Sequence, residues 1–166
     1  MAASSASRAR ARRRAPSVLR PADFRAYLLA KAAEIAPTDV SGLVAQARTL
    51  RARAARDRAA RPMFARRVEV ALALLQDHAK GAAPQIPYAT VATLAAALFY
   101  YLDPIDVIPD FLPHVGTGDD ALILEIAFGQ TAAGVQRWLD WSGTPASDLV
   151  PGRRTPQRRA GRPGRR

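Results

Sequence analysis

Apolar positions in this chain recur every three or four residues, and that spacing predicts helices. After Pro21, the residues Phe24, Leu28 and Ile35 fall near one face of a first helix that runs to about Ile35. A second follows Pro37 and Thr38, with Leu43, Ala47, Leu50 and Ala54 as its apolar stripe and arginines over the rest of its surface. A third runs from about Met63 to Lys80, turns Phe64, Val68, Leu72 and Leu75 inward, and stops at Gly81. A fourth begins at Pro87 and carries Val91, Leu94, Leu98 and Tyr101. A fifth opens near Asp119 and continues through Trp138 or beyond, repeating Leu124, Phe128, Thr131, Val135 and Trp138. No run alternates as a strand would between turn signals, and no internal repeat is visible. The expectation is an all-α fold: a compact bundle of about five helices, containing a helical hairpin joined by a Pro/Asp-rich loop.

That loop, Tyr101–Asp120, packs five aspartates, three prolines and two glycines between two apolar segments and contains no Lys or Arg. Asp103 followed by Pro104 suits an N-cap and first helical position, with Asp106 as the third residue of a capping box. Pro109 drives Ile108 out of the helical region and ends that short turn. Pro113 stiffens the exit, and Gly116 and Gly118 permit backbone angles closed to other residues. Thr117 with Asp120 forms a second capping box, or Asp119 is itself the cap. In either case a helix starts there, with its negative charges at the favourable end of the dipole.

At 166 residues the chain suits one domain. It has no cysteine, which excludes disulfides and thiolate metal sites, and only two histidines, His78 and His114, at no metal-binding spacing. The 36 alanines, and 23 arginines against two lysines, are the bias of a GC-rich genome and weaken any purposeful reading of arginine enrichment. The charge is uneven. Residues 1–15 carry five Arg and residues 151–166 seven, with no acid in either, against a net charge of +11. These two segments are expected to be disordered basic tails on a helical domain, 16–150, that is nearly neutral. Within the domain, residues 48–67 hold eight Arg against one Asp, while 103–125 hold six acids and no base.

Arg12–Arg14 is followed by no hydrophobic stretch, so neither a Sec nor a twin-arginine signal is supported. The first 22 residues would suit a transit peptide, but the matching C-terminal tail favours a bacterial protein with basic ends. The uncharged run Gly81–Leu102 raises the question of a membrane. Pro84 and Pro87 break its start and leave 15 residues, about 22 Å of helix against a hydrocarbon core of about 30 Å. A cytoplasmic or peripheral membrane protein is therefore expected, with an integral membrane hairpin as the alternative.

From about Asp77 to Trp141 the chain resembles the YkvA-like family, a domain of unknown function (1232) found mainly in bacteria. The resemblance rests on Ile86-Pro87 ahead of the apolar helix and on the Tyr101-Leu102 pair at its end. It continues through Pro104, Asp106, Ile108, Pro109, Asp110 and Pro113, then Gly116 and the Asp119-Asp120 pair. Asp103 departs from the small residue common there, and His114 from an aliphatic one. The resemblance implies a small helical domain, often regarded as membrane-associated, with no established catalytic activity.

Two chemistries remain open. If the loop folds back, Asp106, Asp110, Asp119 and Asp120 offer hard oxygen ligands for Mg²⁺ or Ca²⁺, and a divalent-metal-dependent enzyme is the alternative function. Capping accounts for nearly every aspartate, though least well for Asp110, and no other cofactor is expected. The arginines of the second helix, Arg48, Arg51, Arg53, Arg56 and Arg58, are either a solvated face or a binding surface for an anion. Candidate partners are an anionic membrane surface, a non-specific polyanion engaged also by the tails, or the acidic loop itself. Sequence-specific nucleic-acid recognition is not expected, because no exposed aromatics interleave with the arginines. The function expected is a non-enzymatic binding or membrane-peripheral module.

Overall fold

The computed structural model describes residues 21–83, 85–102, 119–145 and 148–149, which form seven helices and no strand. The helices are α1 (Pro21–Glu34), α2 (Pro37–Ala45), α3 (Ala47–Asp57), α4 (Pro62–Ala79), α5 (Tyr88–Leu102), α6 (Asp119–Gln130) and α7 (Ala132–Ser142). The arrangement follows from α5. It is buried from Thr90 to Leu98 and again at Tyr100 and Tyr101, because α1, α2, α4 and α6 all pack against it. A helix that is apolar on every side needs such a jacket, and the jacket accounts for the uncharged run in the sequence. No helix among the described residues is long and apolar enough to cross a membrane.

Two of the expected helices are each divided in two, which raises the count above five. The second divides at Gln46 (φ −88°, ψ 11°). Its N–H donates to Leu43 O at 3.0 Å, a tight three-residue turn, and its carbonyl accepts from Leu50 N–H at 3.1 Å. Val40, Leu43, Ala47, Leu50 and Ala54 nonetheless form one buried stripe through the division. The fifth divides at Thr131 (φ −107°, ψ 14°). There the Thr131 hydroxyl and N–H both donate to Ala127 O, at 2.7 and 3.0 Å. Such back-bonding by threonine bends a helix without breaking its spacing. Leu124, Phe128, Thr131, Val135 and Trp138 accordingly all stay buried.

Local chemistry sets the element ends. Pro37 opens α2, and the Asp39 carboxylate accepts from Ala36 N–H at 2.8 Å, which satisfies one of the free donors of the first turn. Gly81, at φ 67°, closes α4 in a Schellman arrangement: Ala82 N–H donates to Asp77 O and Gly81 N–H to His78 O, both at 2.9 Å. Trp138 of α7 donates its indole N–H to the Asp77 carboxylate at 3.1 Å. Gly134 lets α7 lie directly on α5, since a Cβ there would fall 2.7 Å from Thr90 Cγ2.

Past α7 the chain returns to α4. Leu149 is fully buried, and Arg67 donates its Nε–H to the Leu149 carbonyl at 3.1 Å. Arg66 pairs with Asp148 at 3.2 Å and donates to the Pro145 carbonyl. Arg67 also lies 3.5 Å from the Glu125 carboxylate and 5.9 Å from the centre of the Phe128 ring, so one half-buried side chain joins α4, α6 and the returning segment. The tails expected at 1–15 and 151–166 lie outside the described residues.

Candidate functional site

Where α5 ends, three elements bring charged and aromatic groups together. On α3, Arg53 and Asp57 are one turn apart, and Arg61 is a further four residues on, just before α4. Arg53 and Asp57 therefore lie on one face of α3, and Arg61, outside the helix, reaches back to Asp57 with its side chain. The buried Tyr101 hydroxyl donates to Asp57 Oδ2 at 2.7 Å, and Arg61 donates to Asp57 Oδ1 at 2.7 Å. Arg53 donates to the Leu102 carbonyl at 2.9 Å, and its guanidinium carbon lies 4.6 Å from the Tyr101 ring centre. Arg61 lies likewise 4.5 Å from the centre of the Phe64 ring, which meets Tyr101 edge-on at 5.0 Å. One carboxylate, two guanidinium groups and two rings thus close the C-terminal end of α5.

The acidic start of α6 faces this cluster. Asp119 and Asp120 are its first two helical residues, which puts Asp119 one place inside the cap position. Burial pushes the Asp120 carboxyl above its ordinary value; Asp119 and Asp57 add to this, while Arg53 and Arg61 oppose it. For Asp57, burial acts in the same upward direction. It is outweighed by the hydrogen bonds from Arg61 and Tyr101 and by the charges of Arg61 and Arg53, so this carboxyl titrates below the ordinary value. Burial raises Tyr101, helped by the hydrogen bond to Asp57. Burial also raises Tyr100, helped by Asp119 and Asp120, and takes Tyr27, edge-on to Tyr100 at 6.2 Å, up to about 12. Near neutral pH these phenols are hydrogen-bond donors, and none of them is poised as a base or nucleophile.

Of the four aspartates considered as metal ligands, Asp119 and Asp120 stand together at the start of α6, while Asp106 and Asp110 lie outside the described residues. So do Pro104, Pro109, Pro113 and Gly116 of the signature loop. Among the described residues no three carboxylate or imidazole groups could hold a metal ion. The five candidate arginines divide. Arg51 donates to Gln76 at 2.6 Å, Arg53 holds Leu102, and Arg58 pairs with Glu69. Arg48 and Arg56 stand exposed with no hydrogen bond or ion pair to a described residue. With Thr49, Ala52 and Arg53 they line an open groove of about 620 Å³ along α3. Sequence reading missed Asp57 and Arg61. The four-residue spacing of Arg53 and Asp57 puts them on one face of α3, but their meeting with Tyr101 and Arg61 is set by the tertiary fold.

No curated protein and no solved structure matches the chain. A family model described as a protein of unknown function (DUF1232) matches residues 90–126. The matched stretch takes in most of α5, including Tyr101 and Leu102, and the first part of α6, including Asp119 and Asp120. Over residues 90–126 the chain is similar to the DUF1232 family, whose function is unknown.

Proposed function

We propose that this protein is a non-enzymatic module that binds anionic surfaces, independently of sequence, through the outer face of α3. The observation that carries this reading is the pair Arg48 and Arg56. They are two helical turns apart on one exposed face, flank a common groove, and are neutralised by no described residue. Ion pairing within the fold absorbs Arg58, Arg61, Arg66 and Arg67 but leaves these two outward. Each arginine held near an anionic surface contributes about 1 kcal/mol, and the attraction weakens with salt. The non-enzymatic part rests on the cluster at the end of α5, where Asp57 is fully engaged by its two donors and the tyrosines keep their protons.

The test is charge reversal, R48E with R56E, in the full chain. Binding to inorganic polyphosphate and to vesicles containing phosphatidylserine should each fall by roughly a hundredfold at low salt, with an unchanged melting temperature. Binding that persists undiminished, or that does not respond to salt, would remove the basis of this reading.

A further inference from the structure

Helices α1 and α6 pack on one another and on α5, and the seam between them is an open groove of about 520 Å³. Ala22 and Arg25 line it on one side, and Leu122, Glu125, Ile126 and Gly129 on the other. The core takes Ile123, Leu124, Ala127 and Phe128 of α6; Leu122 and Ile126 stand at its edge, half-buried, and open on the groove. On α1, Ala22, Arg25 and Leu29 follow helical spacing along one exposed face, and Leu29 is 43% exposed.

Each wall carries one charge. Arg25 forms no hydrogen bond or ion pair with a described residue, whereas the other cation of α1, Lys31, pairs with Glu34 at 2.9 Å. Glu125 is the one charged residue of α6 after Asp120. It reaches Arg67 at 3.5 Å, yet its side chain stays 56% exposed. An apolar groove with a cation on one wall and an anion on the other is complementary to itself.

We infer that this groove is the contact between two copies of the chain, related by a two-fold axis, in which Arg25 of each copy meets the partner's Glu125 and the apolar groups of the two grooves cover one another. In such a contact each favourable pair occurs twice. A polyanion is a poor occupant, because Glu125 would face like charge, and a protein surface of either single sign would be repelled by one wall. None of the groove residues belongs to α3, so the role proposed for Arg48 and Arg56 neither requires this contact nor is required by it. The two helices are each about 20 Å long, and side by side they are about as wide. That footprint is small beside the roughly 800 Å² per partner of a stable complex, so the pair is weak and reversible, with a Kd on the order of 100 µM.

The experiment is sedimentation equilibrium of the full chain at physiological salt, at concentrations up to about 1 mM. The parent should pass from monomer to dimer over that range. R25E and E125R should each weaken the dimer by roughly tenfold, since like charges then meet twice. An equimolar mixture of the two variants should recover the parent's affinity, because each charge again meets its opposite, and R48E with R56E should dimerise like the parent. If E125R melts lower through loss of its pairing with Arg67, L29E on the exposed face of α1 replaces it and should also weaken the dimer by roughly tenfold. A parent that stays monomeric at about 1 mM, or a dimer that R25E and L29E both leave intact, overturns the inference. So does a mixture that associates no better than R25E or E125R alone when E125R melts like the parent.

Discussion

The Tyr101 hydroxyl and the Asp57 carboxylate, 2.7 Å apart, tie the last turn of the buried α5 to the last turn of α3. The bond serves both partners. It supplies a polar partner to a phenol buried in the core, and it occupies the one oxygen of Asp57 that Arg61 does not reach.

Removing either partner should therefore cost stability, and removing Asp57 should cost more. Y101F deletes one hydrogen bond to a charged acceptor, and a loss of about 1–2 kcal/mol is expected. D57A also strips Arg61 and Tyr101 of their acceptor and leaves a buried hydroxyl unpaired, so a loss of about 2–4 kcal/mol is expected. In a double-mutant cycle followed by urea unfolding, the two losses should couple rather than add. Simple additivity would mean that the bond contributes nothing in solution.

The two carboxyls of the site titrate in opposite directions, which gives them opposite pH signatures. Asp57 is held below its ordinary value of 3.8, so it stabilises the fold above that value, and the contribution is lost as the pH falls through the folded value. Asp120 is held above 3.8, so the folded form keeps its proton more tightly. Its ionisation costs stability as the pH rises through 3.8 and is fully felt above the folded value. Melting curves should then show D120N stabilised relative to the parent near pH 7 but not near pH 3, while D57N is destabilised near pH 7 and converges on the parent in acid. Matching pH profiles for the two variants would contradict this.

Much of the fold is legible in the spacing of apolar residues. Phe24, Leu28, Leu43, Leu50, Phe64, Val68, Leu72, Leu94, Leu98, Phe128 and Val135 are inward by periodicity and buried in the structure. The bends at Gln46 and Thr131 are not legible, because each keeps the three-and-four rhythm across the division and differs only in its backbone hydrogen bonds. The polar cluster is half legible. Tyr101, Asp119, Asp120 and Arg53 stand out by type and position, but Asp57 and Arg61 acquire their roles only when α3 and α4 bring them under Tyr101. The partition of the arginines into engaged and free is a tertiary fact, set by where Gln76, Glu69 and Leu102 fall.

Gly134 sets how closely α7 can lie on α5. A Cβ at that position would press into Thr90, whose side chain is buried. G134A should destabilise by about 1–3 kcal/mol through overpacking, despite the higher helix propensity of alanine. T90A should recover part of the loss in the double variant. A G134A protein that melts at or above the parent temperature would show that α7 can shift outward at no cost.

The returning segment should matter for stability well beyond its size. Leu149 is fully buried beside Arg67, and L149A is expected to cost about 2–4 kcal/mol by leaving a cavity. Deleting 151–166, which begins two residues later and carries no large apolar side chain, should leave the melting temperature nearly unchanged. A deletion as costly as L149A would show that those residues also contribute to the packed body.

The response to divalent cations should be small, and the reason lies in the arginines. A cluster of uncompensated carboxylates would gain stability from Mg²⁺ or Ca²⁺ by mass action. Here Asp57 is already paired with Arg61, and the charges of Arg53 and Arg61 also act on Asp120, so a cation approaching the start of α6 meets two fixed positive groups. Millimolar Mg²⁺ or Ca²⁺ should therefore move the melting temperature by less than about 2 °C, in the parent and in D120N alike. A rise of about 5 °C or more in the parent, lost in D120N and in D110N, would correspond to more than about 1 kcal/mol of specific binding. That outcome would place a metal at the aspartates in preference to the helix-capping role assigned to them from sequence. The same titration on R53Q separates the two electrostatic accounts. With one guanidinium removed, the local field becomes more negative and any latent cation affinity should increase. If R53Q is as indifferent to Mg²⁺ as the parent, the start of α6 does not bind metal even when the competing charge is reduced.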